Sequence, residues 1–120
     1  MKRYWRRKMN KLLILWKTDN DIDIHNLVLP YASNAYKKQW FDQVTVLIWG
    51  ASQKRVLEDK MISERVRDLK TQGIRVVACK MCAEAIHTSD YLKGLSVEVV
   101  YTGELLSDAL KATDTEVVTF

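Results

Sequence analysis

The chain alternates short apolar runs with longer amphipathic stretches. Five runs stand out: KLLILW at 11–16, QVTVLIWG at 43–50, GIRVVAC at 73–79, LSVEVVY at 95–101 and TEVVTF at 115–120. They are rich in Val, Ile, Leu and aromatic residues, which pack well on a pleated surface. The first two are almost continuously apolar, as expected of strands covered on both faces. The last is short enough to be an edge. Between the runs the spacing turns helical. Residues 24–39 set Leu27, Tyr31 and Ala35 four apart on one side, with Pro30 either starting the regular part of the helix or kinking an early turn. Residues 52–72 predict a short helix and then a longer one, whose buried stripe is Met61, Ile62, Val66 and Leu69 and whose stop is Gly73. Two more helices are predicted, over 82–93 with a stop at Gly94, and over 104–112 with Leu105, Leu106, Ala109 and Leu110 facing inward.

Strands separated by helical crossovers run parallel, with right-handed connections and helices on both faces. The pattern therefore predicts an α/β fold: a three-layer α/β/α domain around a parallel five-stranded sheet. Strand order is not contained in it. A chain of 120 residues with 48% hydrophobic content suits one domain with one core, spanning 9–120. Few Gly and Pro and no low-complexity stretch point to a folded chain.

Charge changes the picture only at the start. The net charge is +4, but the first eight residues, MKRYWRRK, hold five of the 19 basic side chains. The remaining 14 face 15 acidic residues, so the domain is nearly neutral and charge does not mark it as a nucleic-acid binder. Residues 1–8 read as a basic tail or as an extension upstream of Met9; a weak contact with an anionic surface is the third reading. The apolar run behind this head is about five residues, short of the roughly 7–15 of a signal peptide, and no small-residue cleavage site follows. No window approaches the roughly 18 apolar residues of a membrane span. The expected compartment is the cytoplasm, where thiols stay reduced unless they do chemistry.

In parallel α/β sheets ligands bind beyond the carboxyl ends of the strands. Here that rim comprises KTDND, GAS, CKMC and TGE, after the first four strands. CKMC holds both cysteines of the chain, Cys79 closing the third strand and Cys82 in the first turn of the next helix. Unpaired N–H groups at a helix start favour a thiolate, Lys80 adds a cation nearby, and a sulfur on this rim is expected to be open to water. A thiolate there suits disulfide exchange, peroxide attack or persulfide carriage. The competing reading is two small hydrophobes in the core. Metal is a poorer fit: a closed zinc site needs four ligands. Cys79, Cys82 and His87 supply three, and His25 lies far off in sequence. No metal or cofactor is assigned. Asp19, Asn20, Asp21 and Asp23 read as caps of the first helix, although Thr18, Asp19 or Asn20 could instead meet a ligand. WGAS has no phosphate-loop spacing. Trp16 and Trp49 end the first two strands and either wall the cleft or pack the core.

The order KLLILW…TDN, LVLPYASNA, VTVLIWGAS, GIRVVACKMCAE, LSVEVVYTGELLSDALK and VVTF resembles the DsrE-like (DsrE/DsrF, YchN-like) proteins over residues 11–120. Its most specific part is Cys79 at the end of the third strand, with the GEL helix and a short terminal strand behind it. The resemblance implies a DsrEFH-like, flavodoxin-like parallel five-stranded fold. It also implies homo-oligomers, trimers or hexamers, and a sulfur-relay protein partner. It assigns Cys79 the role of persulfide carrier, in a sulfurtransferase-like or thiol-peroxidase-like subunit. The second cysteine, Cys82, departs from the sulfur-relay pattern and would resolve the persulfide as a disulfide or tune the acidity of Cys79. The alternative is a non-catalytic oligomeric or small-ligand-binding domain with structural cysteines.

Overall fold

The apolar runs become strands and the stretches between them become helices. The structure, a computed structural model, describes residues 10–85 and 89–120. The chain runs β1 (Lys11–Trp16), α1 (Asp21–Asp23), a π-helical turn (Ile24–Val28), α2 (Leu29–Lys37), β2 (Gln43–Ile48), α3 (Ala51–Glu58), α4 (Lys60–Gln72), β3 (Arg75–Cys79), α5 (Lys80–Ala85), α6 (Ser89–Gly94), β4 (Glu98–Val100), α7 (Gly103–Lys111) and β5 (Thr115–Thr119). All strand pairs are parallel, in the order β4-β3-β2-β1-β5. This is the three-layer α/β/α fold with a five-stranded parallel sheet, and β5 is an edge as its length suggested.

The order determines where the helices go. From β1 to β4 each crossover steps one strand in the same direction, so right-handed connections place α1 to α6 on one face. The step from β4 to β5 reverses across three strands and places α7 on the other, alone among the described helices. The side chains follow. Leu12, Ile14, Trp16, Val46, Ile48, Val76 and Ala78 pack with Ala32, Val66, Ala83 and Leu92 from the helices of the first face. Leu13, Leu47 and Val77 point the opposite way and meet Leu105, Leu106 and Ala109 of α7. The second face is thinly covered: a nine-residue helix spans a five-stranded sheet.

Three predicted helix faces are corrected. Leu27 is exposed, and Ile24, Val28, Leu29, Ala32 and Ala35 form the buried side. Pro30 explains the rotation. A proline ring within an α-helix clashes with the carbonyl four residues back, and it has no N–H to offer there. The backbone instead widens to a π turn, with the Leu29 N–H bonded to Ile24 O, and this turns the following face. In α4, Met61 is 62% exposed while Ile62, Ser63, Val66 and Leu69 are buried. In α7, Leu110 is 63% exposed, because no described element packs over that helix's outer side. Helix ends follow local chemistry. Asn20 caps α1 by accepting from the Asp23 N–H at 3.0 Å, and Asp59 caps α4 by accepting from Met61 and Ile62. Gly73 ends α4 in the left-handed region at φ 108°.

Candidate functional site

The turns after β1, β2 and β3 are fastened together by the first turn of α3. Ser52 Oγ donates to Trp16 O at 2.7 Å, and Gln53 Nε2 donates to both Ile48 O and Cys79 O at 3.1 Å. Both side chains are fully buried. They bond carbonyls at the ends of β1, β2 and β3, and so fix the carboxyl rim on which Cys79 sits.

Cys79 is 4% exposed. It belongs to neither large apolar cluster. Burial opposes its ionisation, but its sulfur faces the backbone N–H of Cys82, the Thr102 hydroxyl, the Cys82 thiol and the backbone N–H of Met81. Together these hold the Cys79 thiol below the ordinary thiol value. The Thr102 hydroxyl is the unusual member. Thr102 stands at the start of α7, where a threonine normally caps the helix, yet it makes no cap bond. Thr102 is 1% exposed and its hydroxyl makes no hydrogen bond of full geometry; what it faces is the Cys79 sulfur.

Cys82 lies half-buried beside it. Burial raises its thiol above the ordinary value. The Gly50 N–H and the Trp49 indole oppose this, and the neighbouring Cys79 reinforces it. The two sulfurs are therefore neighbours and unequal: the Cys79 thiol is held below the ordinary value and the Cys82 thiol is pushed above it. Gly50 reaches Cys82 from a conformation (φ 71°, ψ −135°) that glycine adopts without strain.

No family model matches the sequence, and no curated protein does. Among solved structures the chain is similar to BT1422, a conserved protein of unknown function from Bacteroides thetaiotaomicron. The TM-score is 0.88 at 30% identity, covering 92% of this chain and 95% of that one. The chain belongs to the same family as this Bacteroides protein. The relationship carries the fold; the chemistry has to be read from the site.

Of the predicted site residues, Cys79 and Cys82 are brought together at the strand-to-helix turn. Cys79 is enclosed, where an open sulfur was expected. The Lys80 ammonium lies over the Tyr101 ring, 5.2 Å from the centroid, and the contacts that lower the Cys79 thiol come from amides, a hydroxyl and a thiol. His87 lies outside the described residues. His25 accepts from Arg65 Nη1 at 3.1 Å on the π turn, and among the described residues no three His, Cys, Asp or Glu side chains gather as metal ligands. The two tryptophans divide: Trp16 is core, whereas Trp49 is half-exposed at the rim. Sequence reasoning missed Thr102 and the Ser52–Gln53 fastening. The polar residues directly after the second and fourth strands were the signal for both.

Among the described residues no helix is long and apolar enough to cross a membrane.

Proposed function

We propose that this protein is a DsrE-like cysteine protein that carries sulfane sulfur as a persulfide on Cys79, a sulfurtransferase-type subunit with Cys82 as the resolving thiol. The observation that carries this reading is the cradle around the Cys79 sulfur: two amide N–H groups, a thiol and a buried hydroxyl with no better partner. A thiolate is the nucleophile in such transfers. Cys79–S⁻ attacks the outer sulfur of a donor persulfide R–S–SH. The donor S–S bond breaks, Cys79–S–SH forms, and R–S⁻ leaves. An acceptor thiolate can then take the sulfur and regenerate Cys79–S⁻. Without an acceptor, the Cys82 thiol attacks the inner sulfur, forming the Cys79–Cys82 disulfide and releasing hydrogen sulfide; a dithiol reductant restores the pair.

Intact mass after incubation with inorganic polysulfide tests the reading. The Cys82→Ser protein should gain one sulfur atom that reduction removes, and Cys79→Ser should gain none. No added sulfur in Cys82→Ser would end the carrier reading. The same incubation with peroxide separates a thiol peroxidase, which would consume it rapidly through Cys79.

The burial of Cys79 favours a second reading, a non-catalytic domain whose cysteines pack the rim. On that reading Cys79→Ala changes stability and nothing else. Homo-oligomer formation, a sulfur-relay partner and a cytoplasmic location belong to the proposal through the resemblance. The thin cover of the second sheet face and the exposed Tyr101 and Leu110 support assembly. Sedimentation at micromolar concentration tests it, and a monomer would count against it.

A further inference from the structure

Beside the thiol pair, on the α7 side of the sheet, lies a cleft of about 360 Å³ lined by Leu15, Lys17, Trp49, Gly50 and Leu106. Its volume falls in the range of small-molecule sites, roughly 300–1,000 Å³. Its walls are apolar, and Lys17 is the one charged residue among the five. Lys17 makes no ion pair with any described residue. Two of the lining residues also reach the thiols: the Trp49 indole and the Gly50 N–H meet the Cys82 sulfur, which in turn contacts Cys79. Trp49 and Gly50 thus connect the cleft to Cys82 and, through Cys82, to the enclosed Cys79. Among the described residues α7 stands alone on its face, which leaves the end of β1 and the β2–α3 turn open to form the cleft.

We infer that this cleft is the binding site for the carbon body of the sulfur donor, a small thiol-derived molecule with an apolar chain and one anionic group. The apolar chain lies on Leu15, Trp49 and Leu106, and the anionic group meets Lys17. The donor sulfur then points past Gly50 toward the cysteines. This inference rests on the carrier reading for the sulfur chemistry, but the cleft itself can be tested without it.

The test uses the full chain carrying Cys79→Ser and Cys82→Ser, so that no thiol reaction contributes, with octanoate as the probe and octylamine as its charge-inverted control. Binding is followed by NMR at the Trp49 indole and Gly50 amide. Octanoate should saturate and shift both signals, and octylamine should bind more weakly. Lys17→Gln should weaken octanoate by about fivefold, the upper range for an exposed charge pair, and leave octylamine no weaker. Leu106→Gln, checked for folding by its melt, should weaken both. Failure of octanoate to shift either signal at millimolar concentration would overturn the inference, as would equal binding of the two probes or indifference to Lys17→Gln. With the cysteines restored, the persulfide of mercaptooctanoate should transfer sulfur faster than that of mercaptoethanol. That preference should disappear in Leu106→Gln, and persistence of the preference there would count against the cleft. Octanoate binding without any sulfur transfer would sink the carrier reading and keep the cleft. Transfer from inorganic polysulfide without octanoate binding would do the reverse.

Discussion

Replacing Thr102 with Val separates a cradle that sets reactivity from one that only packs. Val keeps the shape of Thr and removes the hydroxyl that faces the Cys79 sulfur. A hydrogen bond to a charged group contributes about 1.5–3 kcal/mol net. Here the contact falls short of full geometry, so the lower end applies. A loss of about 1.4 kcal/mol is a factor of about ten in the thiolate population below the titration midpoint. Stability should move the other way. No cap is lost, because Thr102 makes none; a lost cap would cost about 1 kcal/mol. The substitution also removes a buried hydroxyl without a good partner, whose desolvation penalty is about 1–3 kcal/mol. The variant should therefore be as stable as the parent or more so. The assay is the pH dependence of iodoacetamide alkylation in a Cys82→Ser background, where Cys79 is the one thiol left, beside a urea unfolding curve. Thr102→Val should move the midpoint of the profile to higher pH without changing its plateau, which reports access. An unmoved midpoint would refute the reasoning. So would a loss of about 1 kcal/mol in stability, the mark of a cap rather than a thiolate partner.

Four further outcomes follow from the structure. Cys79 is held below the ordinary thiol value in the folded chain, so its anion binds fewer protons folded than unfolded. In Cys82→Ser the linked stability should be fully present above the ordinary thiol value and be lost as pH falls through the folded Cys79 value. Urea curves across that window should show this slope, absent from the double serine variant, and a slope of opposite sign would contradict the cradle. Gly73→Ala should cost about 1–3 kcal/mol by chemical denaturation, because the residue sits at φ 108° and an added Cβ would lie 3.0 Å from Tyr36 Oη; an unchanged midpoint would remove that explanation. Asp59→Ala should cost about 1–2 kcal/mol by the same measure, since it caps α4 through two amides and pairs with Arg55. Glu58→Ala, which breaks only an exposed pair with Arg55, should cost at most about 0.5 kcal/mol. Equal costs would show that the cap adds nothing beyond charge.

What was legible in the chain divides along a physical line. Strand positions were legible because strands of a parallel sheet favour short runs rich in Val, Ile and Leu, and each of the five runs became a strand. Helix faces were less so. The face around Leu27 turned because Pro30 forced a π turn, a local rule whose outcome depends on the packing that follows. Met61 and Leu110 fell outside for a different reason: apolar periodicity marks a face but not whether anything covers it. For Leu110 the answer lay in strand order, which no local pattern carries. The same limit applied to the site. Cys79 and Cys82 were found because a strand ending in a cysteine changes period there. Their surroundings come from the β2–α3 and β4–α7 turns, distant in sequence and adjacent only because β2, β3 and β4 are neighbours.

That order has a further consequence. Stepping steadily from β1 to β4 brings the turns bearing Trp49, Cys79 and Thr102 side by side, and so encloses the sulfur of Cys79 among donors. The single return to β5 places α7 alone on the opposite face and leaves Leu15 and Trp49 half-covered beside the same cysteines. Enclosure of the thiol and an open apolar approach to it are therefore two results of one chain path. A change that moved α7, such as lengthening the turn after β4, would disturb the Thr102 contact and the cleft together. Substitution of Lys17 or Leu106 should alter the cleft and leave the acidity of Cys79 where it was.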